Sequence, residues 1–462
     1  MLPYPFLSTS AEVKLFPPTN DFKLYETGFA DEDLLSRRAT GEALSELLEK
    51  IEDPLVVALD GAWGSGKTHF LKRWVGAHTL ENSGSANVIY YDAFANDYLD
   101  DPLIGLVGEI GDRVKGKKAT SQVQKLKRFA VKLTKPAIRV ALATATAGAT
   151  EIAGPIVDAA IESSAKEADK AADNFWKRED GRKAAMKQFQ NALQELTKAP
   201  SDSPDTKKTL VIVIDELDRC RPDYALSMLE VIKHFFAVPN VHFVLGVNLI
   251  ALEHSVKARY GSGFDANDYL KRFITLTIEL PRVIANKDNR PAVVEYFDKM
   301  SVAMGLNKSI TEEAMNQLDL LIAVRKTSLR DIERVLSSIS LLPKKAEFPS
   351  FEYGWKLVIV SLLLIKVFDN ELFTKFENGS GSVDDIKIFY GIKPEIYEPN
   401  SEEYNHAAYL LIQLWTYILL DGKGGHDPAA ARSFGVFGLS RPKRITATVL
   451  RDFFGLFEIL DR

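Results

Sequence analysis

One segment of the sequence constrains the fold more strongly than any other. Residues 61–68 read Gly-Ala-Trp-Gly-Ser-Gly-Lys-Thr and match the pattern G-x-x-x-x-G-K-[ST] at every fixed position. The apolar run 55–59 precedes the pattern, and a stretch typical of a helix follows it. A glycine-rich turn between a strand and a helix directs backbone N–H groups at a phosphate bound to the helix N-terminus. The segment therefore predicts a phosphate-binding loop.

The side chains of this loop indicate what it binds. The ammonium of Lys67 would contact the β- and γ-phosphates of a nucleotide, and the hydroxyl of Thr68 would ligate Mg²⁺. We therefore expect ATP and Mg²⁺ as cofactors. The residues expected to contact the nucleotide are Gly61, Ala62, Trp63, Gly64, Ser65, Gly66, Lys67, Thr68 and His69.

A second motif supplies carboxylates. Residues 210–216, Leu-Val-Ile-Val-Ile-Asp-Glu, form an apolar run that ends in two acids, which is the form of a Walker B motif. Asp215 would join Thr68 in holding the Mg²⁺ shell. Glu216 would orient and polarise the attacking water, because phosphoryl transfer depends on positioning and electrostatics; Asp218 is the alternative base. A solvated acidic turn would look the same in isolation, but the upstream loop favours the catalytic interpretation.

Four further polar residues are candidates for contacts with phosphate. Asn248 follows the apolar run 241–247, where P-loop ATPases with an added strand carry a polar residue that senses the γ-phosphate. An asparagine is also common where a strand ends in a turn. Arg272, Arg330 and Arg334 are candidates to contact phosphate from the same chain or from a neighbouring copy in a homo-oligomer. Surface ion pairs are the alternative role for these arginines.

The spacing of apolar runs predicts the fold class. Four runs, residues 55–59, 87–91, 210–214 and 241–247, are separated by helical stretches, and such runs are typical of a parallel sheet that is buried on both faces. We expect an α/β P-loop NTPase fold of the additional-strand type, with an edge strand within residues 273–280. The expected divisions are an N-terminal arm at 1–30, a P-loop domain at 31–112 and 206–282, a helical insertion at 113–205, and a mainly helical C-terminal region at 283–462.

The insertion between the two motifs has an unusual composition. Residues 113–139 contain ten Lys or Arg residues and no acid, although the whole chain carries a net charge of −5. The apolar, alanine-rich stretch 140–161 follows, and its longest charge-free run is much shorter than the ~20 residues of a spanning helix. The basic stretch could therefore contact nucleic acid or a membrane surface. A solvated helix that is neutralised by acidic neighbours is the alternative.

Composition excludes other classes of site. Cys220 is the single cysteine, so an internal disulfide and a cysteine-based zinc cluster are excluded. The seven histidines show no metal-binding spacing. The first residues lack the basic-then-apolar pattern of a signal peptide, which predicts a cytoplasmic protein and leaves peripheral membrane association open.

Three stretches together resemble the KAP family of P-loop NTPases. They are the tryptophan form of the loop at 61–68, the aromatic and acidic stretch 91–103 with its Asp-Pro-Leu helix start, and the stretch 214–220, Ile-Asp-Glu-Leu-Asp-Arg-Cys. The family has an aspartate where this chain has Glu216, and the change keeps the carboxylate. The resemblance covers about residues 34–341 and places the insertion where that family carries membrane helices.

The resemblance implies a function. It indicates an ATP-binding and ATP-hydrolysing subunit that acts as a nucleotide-driven switch or motor, together with operon-encoded partners or further copies of itself. Several bacterial members of the family act in defence against phage, so the same role is a hypothesis for this chain. Two other hypotheses stay open, namely a membrane-associated scaffold that docks through its insertion and a nucleic-acid-stimulated ATPase.

Overall fold

Contacts between residues divide the chain into two compact units. The computed structural model describes residues 13–18, 23–30, 33–99, 101–114, 117–133, 181, 183–198, 209–284, 289–343, 353–398, 402–423, 427–434 and 441–454. The first unit, called the sheet unit below, comprises Phe22–Ala62 and Gly66–Leu280. The second, called the helical unit, comprises Met1–Asp21, Trp63–Ser65 and Pro281–Arg462.

The sheet unit is built on five parallel strands. Their bounds are Leu55–Asp60 (β1), Asn87–Asp92 (β2), Leu210–Asp215 (β3), Val241–Val247 (β4) and Leu276–Glu279 (β5). The spatial order is β2-β3-β4-β1-β5, and every pairing is parallel. Strand β4 thus lies between β1, which leads into the phosphate-binding motif, and β3, which carries the Walker B motif. This arrangement confirms the predicted additional-strand fold, with β5 at an edge.

Helices cover both faces of this sheet. Their bounds are Arg38–Lys50 (α1), Lys67–Leu80 (α2), Pro102–Arg113 (α3), Lys117–Leu133 (α4), 183–196 (α5), Pro222–Phe235 (α6), Leu249–Tyr260 (α7) and Ala266–Leu270 (α8). Side chains of a strand alternate between the two faces. Tyr90 of β2 therefore joins the buried cluster that contains residues of α1 and α2, whereas Tyr91 joins the cluster that contains residues of α3 to α7.

The start of helix α1 is fixed by the residues just before it. The helix begins at Arg38, because the described residues before it form turns, with Ser36 at a positive φ of 51°. The carboxylate of Asp33 accepts hydrogen bonds from the N–H groups of Arg37 and Arg38, at 2.7 and 2.9 Å. A side chain that satisfies the free N–H groups at this point fixes where the helix starts.

Helix α4 carries the described part of the basic stretch. Its apolar side chains, Val123, Leu126, Ala130 and Leu133, are buried in the core of the sheet unit together with Phe189 and Leu193 of α5. Its basic side chains, Lys125, Lys127, Arg128 and Lys132, are exposed. The stretch 140–161 lies outside the described residues. Among the described helices, none combines the length and the apolar character that a membrane crossing requires.

The helical unit confirms the prediction of a mainly helical C-terminal region. Its helices are Ala292–Ala303 (α9), Lys308–Val324 (α10), Leu329–Ser340 (α11), Tyr353–Phe368 (α12), Asn370–Glu377 (α13), Val383–Tyr390 (α14), Pro394–Tyr397 (α15), His406–Leu419 (α16), Pro428–Arg432 (α17) and Arg444–Val449 (α18). One departure is a short antiparallel pair, Val283–Ile284 (β6) with Arg290–Pro291 (β7). Helix α12 is buried along most of its length, as expected for a core helix.

The packing of α4 gives a test of stability. We expect Leu126→Ala to lower the free energy of unfolding by about 2–5 kcal/mol, because it deletes a fully buried side chain from the core. The neighbouring exposed variant Lys125→Ala should change it by less than about 0.5 kcal/mol. Urea unfolding of both variants checks this, and equal stability of the two would contradict the packing of α4 against the sheet unit.

Candidate nucleotide-binding site

The backbone of the predicted loop requires two of its glycines. Gly64 and Gly66 have φ values of 83° and 85°, which residues other than glycine adopt only with strain. Gly66 also directly precedes the first residue of α2, so the loop ends at a helix N-terminus. This geometry leaves backbone N–H groups and the positive end of the helix dipole at the loop.

The side chain of Lys67 turns back onto the loop. Its ammonium donates hydrogen bonds to the carbonyl oxygens of Gly61, at 2.5 Å, and Ala62, at 3.2 Å. Burial lowers the pKa of Lys67, and the carboxylates of Asp218, Asp215 and Asp60 oppose that effect. The ammonium thus donates to two backbone carbonyls, and phosphate oxygens could take the place of these carbonyls as acceptors.

Asp215 lies at the carboxyl end of β3 and is 1% exposed. Its Oδ2 accepts a hydrogen bond from the hydroxyl of Tyr90 at 2.8 Å, and its Oδ1 accepts one from the N–H of Glu216 at 3.0 Å. Burial raises the pKa of Asp215, and the hydroxyl of Tyr90, the nearby hydroxyl of Thr68 and the N–H of Glu216 oppose the rise because they stabilise the charged form.

Space for this carboxylate comes from a glycine on the neighbouring strand. Gly246 of β4 is paired in register with Asp215. A Cβ atom at Gly246 would lie only 2.3 Å from Asp215 Oδ1 and 2.5 Å from Leu71 Cδ1. The sequence analysis did not single out Gly246, and its one signal is a lone glycine inside an apolar strand.

Glu216 has an unusual backbone and a bound side chain. Its φ of 60° is in the left-handed region, which a glutamate adopts only when the surrounding structure enforces it. Its carboxylate pairs with the guanidinium of Arg219, with 2.6 Å between Oε1 and Nη1. Burial raises the pKa of Glu216, the positive charge of Arg219 opposes this, and the nearby Asp215 and Asp92 add to it.

Two other acids end strands of the same sheet. Asp92, the last residue of β2, is paired in register with Asp215. Asp60, the last residue of β1, accepts a hydrogen bond from the N–H of Leu249 at 2.9 Å. Neither Asp92 nor Asp60 is among the predicted site residues, although each directly follows an apolar run.

A buried arginine also contacts the loop. Arg37, immediately before α1, is 6% exposed and donates a hydrogen bond to the carbonyl of Gly66 at 3.1 Å. Burial lowers the pKa of Arg37 to about 10, and the nearby Asp33 opposes this effect. Nothing in the local sequence distinguishes Arg37 from other arginines. The next residue of the predicted set, His69, accepts a hydrogen bond at Nε2 from Arg73 Nε at 3.2 Å.

Three further predicted residues have other surroundings. Asn248 directly precedes α7, and its side chain accepts a hydrogen bond from the N–H of Ala251 at 3.4 Å, which is the role of a helix cap. Arg272 of the sheet unit is exposed. Within the helical unit, Arg334 is exposed and lies 3.8 Å from Asp331.

Arg330 has a different neighbourhood within the helical unit, which also includes Trp63–Ser65. The N–H of Leu329 donates a hydrogen bond to the carbonyl of Gly64 at 3.0 Å. A Cβ atom at Gly64 would lie 2.6 Å from Arg330 Cβ. Arg330 is exposed, and Trp63 is 50% exposed.

The close approach of Gly246 to Asp215 can be tested. We expect Gly246→Ala to lower the free energy of unfolding by about 1–3 kcal/mol, because the added methyl group overfills the space that Asp215 and Leu71 occupy. Gly263→Ala is the matched control, since nothing lies within 4 Å of a Cβ atom there. Urea unfolding measures both changes. The loss should be smaller in an Asp215→Ala background, and a loss independent of Asp215 would contradict this explanation.

Comparisons with known proteins show distant structural likeness. The ORC2 protein of Aeropyrum pernix, solved as ADPNP-ADP complexes, is 12% identical with a TM-score of 0.32, and the match covers 91% of this chain and 95% of that protein. Cdc6p of Pyrobaculum aerophilum is also 12% identical with a TM-score of 0.32, over 85% of this chain and 98% of that protein. Likeness at this level transfers neither ligand nor activity.

Comparisons of sequence are more informative. An uncharacterised protein of Methanocaldococcus jannaschii is 31% identical over 141 residues, which cover 28% of this chain and 64% of the length of that relative. The sequence model of the KAP family P-loop domain matches residues 37–345, which is more than half of the chain. The matched range includes the phosphate-binding loop, all five parallel strands and the Walker B carboxylates. The chain therefore belongs to the KAP family of P-loop NTPases.

Proposed function

We propose that this chain binds Mg²⁺-ATP, hydrolyses it, and acts as a nucleotide-driven switch or motor subunit. One observation carries the proposal: Lys67, Thr68, Asp215 and Glu216 lie together at the carboxyl edge of one parallel sheet. In open parallel sheets, ligands bind at the carboxyl ends of the strands.

The residues at this edge fit Mg²⁺. The hydroxyl of Thr68 lies near enough to the carboxylate of Asp215 to favour its charged form, and both are hard oxygen ligands of the kind that Mg²⁺ accepts together with substrate phosphates. We propose that these two residues hold the Mg²⁺ shell. When bound, Mg²⁺ supplies positive charge that neutralises charge on the phosphate oxygens.

The chain's own groups would then act on the nucleotide. Backbone N–H groups of the loop bind phosphate oxygens, and the Lys67 ammonium exchanges the carbonyls of Gly61 and Ala62 for the β- and γ-phosphates. Glu216 orients and polarises the attacking water. Its carboxylate must first leave Arg219, so the ion pair at 2.6 Å is a resting arrangement of the site.

The switch hypothesis has a structural basis. Three residues of the loop, Trp63–Ser65, belong to the helical unit, and within that unit the N–H of Leu329 donates a hydrogen bond to the carbonyl of Gly64. A change of loop conformation on nucleotide binding would therefore alter contacts of the helical unit. Because Arg330 lies beside Gly64, it is the first arginine to test for contact with phosphate, in the same chain or in a homo-oligomer.

One alternative function has an observation in its favour. The basic side chains of α4 are exposed while its apolar side chains are buried in the core. The helix therefore offers a basic surface to a polyanion, such as nucleic acid, and keeps its apolar face from lipid. Docking on a membrane surface and a role in antiphage defence with operon-encoded partners remain hypotheses that rest on the family.

Binding of nucleotide can be tested through Lys67. We expect Lys67→Ala to abolish the rise in melting temperature that Mg²⁺-ATP produces in the parent, because the variant lacks the ammonium that contacts the phosphates. Lys50→Ala, which changes an exposed lysine at the end of α1, should respond like the parent. Equal stabilisation of the Lys67 variant and the parent by Mg²⁺-ATP would refute the assignment.

Hydrolysis can be tested through Glu216. We expect Glu216→Gln to bind ATP and to lose turnover by roughly 10²-fold or more, because the amide cannot act as a positioned base. Phosphate release measures turnover, and Glu230→Gln, an exposed glutamate of α6, is the control. If turnover survives in Glu216→Gln, Asp218 becomes the candidate base.

A further inference from the structure

We propose that Tyr90 is a positioning residue of the nucleotide site, whose hydroxyl holds the carboxylate of Asp215 in the orientation that Mg²⁺-nucleotide binding requires. This inference rests on the proposed function. It extends the site to a residue on a strand that carries neither of the two motifs.

The geometry of the hydrogen bond carries the argument. Tyr90 Oη lies 2.8 Å from Asp215 Oδ2, and the two residues are 6% and 1% exposed. The other carboxylate oxygen accepts the N–H of Glu216, and the hydroxyl of Thr68 lies nearby. Of the hydrogen bonds that hold this carboxylate, the one from Tyr90 is the side-chain bond across the sheet, from β2 to β3.

The sheet places Tyr90 for this contact. Tyr90 is paired with Val213, two residues before Asp215, so both side chains project from the same face of neighbouring strands. A diagonal neighbour at this spacing is within reach of a long aromatic side chain. The N–H of Tyr90 also donates to the hydroxyl of Tyr25 at 2.9 Å, and the Lys72 ammonium lies 5.4 Å from the ring centroid.

The chemistry of a hydroxyl suits this task. A buried lysine or arginine at the same place would also orient the carboxylate, but its charge would neutralise Asp215 and repel a divalent cation. A phenol donates a hydrogen bond and leaves the negative charge in place. Phenylalanine would fill the same apolar space, so packing alone does not explain the tyrosine hydroxyl.

The next residue provides a matched control. Tyr91 is also buried, at 2% exposed, and its hydroxyl is also hydrogen-bonded, to Tyr224 Oη at 2.8 Å. It lies on the opposite face of β2 and packs in the other core cluster. Tyr90→Phe and Tyr91→Phe therefore each remove one buried hydrogen-bonded hydroxyl, and only the first removes a partner of Asp215.

The experiment measures how nucleotide binding depends on Mg²⁺. Binding of a fluorescent ATP analogue to the full chain is titrated with Mg²⁺, and again in EDTA. We expect Tyr90→Phe to raise the Mg²⁺ concentration for half-maximal binding by roughly tenfold or more, the scale on which partners of ligating groups act. Binding in EDTA should match the parent, and Tyr91→Phe should leave the Mg²⁺ dependence unchanged.

Coupling to Asp215 separates positioning from general destabilisation. In an Asp215→Ala background, Tyr90→Phe should cause no additional shift in the Mg²⁺ dependence, because its partner is already absent. A Tyr90→Phe curve that superimposes on the parent curve, or an equal shift in both tyrosine variants, would overturn the inference and leave the proposed function standing. A parent chain that binds no nucleotide would refute both.

Discussion

The carboxylate of Asp215 is buried almost completely, and a buried charge is costly unless it is hydrogen-bonded. The cost of leaving such a group unpaired is on the order of several kcal/mol. Here the donors are the hydroxyl of Tyr90 and the backbone N–H of Glu216, the hydroxyl of Thr68 lies nearby, and Gly246 leaves the space. These groups lie on, or directly after, four different elements. The site therefore depends on the order and register of the sheet, because a slip of one residue would turn the side chains of a strand to the other face.

At the carboxyl edge of the sheet, the charged groups of the site are bound to other groups of the protein. Lys67 is bound to carbonyls of its own loop, and Glu216 is paired with Arg219. Both groups would have to exchange these partners before they could act on a phosphate or a water. The left-handed backbone of Glu216 is consistent with a functional position, since strained residues concentrate where the surrounding structure holds reactive groups. We infer that nucleotide binding is linked to the exchange of these partners by Lys67 and Glu216.

The composition of the insertion does not determine what its basic stretch contacts. The run of basic residues at 113–139 is compatible with lipid, nucleic acid or plain solvation. In the described part, the apolar side chains of α4 pack in the core with Phe189 and Leu193 of α5. These side chains are therefore not exposed to lipid, and the basic side chains face solvent. Whether the apolar face of an amphipathic helix is buried depends on packing partners far along the chain. The sequence of α4 alone does not identify these partners.

The sequence by itself determined the phosphate-binding loop, the apolar strands and the carboxylates that end β3. These features are set by local physics: glycine backbone freedom at residues 64 and 66, and short apolar runs of the kind that doubly buried strands carry. The tertiary structure alone decided that Tyr90, Gly246 and Arg37 meet this site. Each of these residues contacts a residue that is distant in sequence. The two come together only when the fold is complete, because strand order and register determine which residues are adjacent.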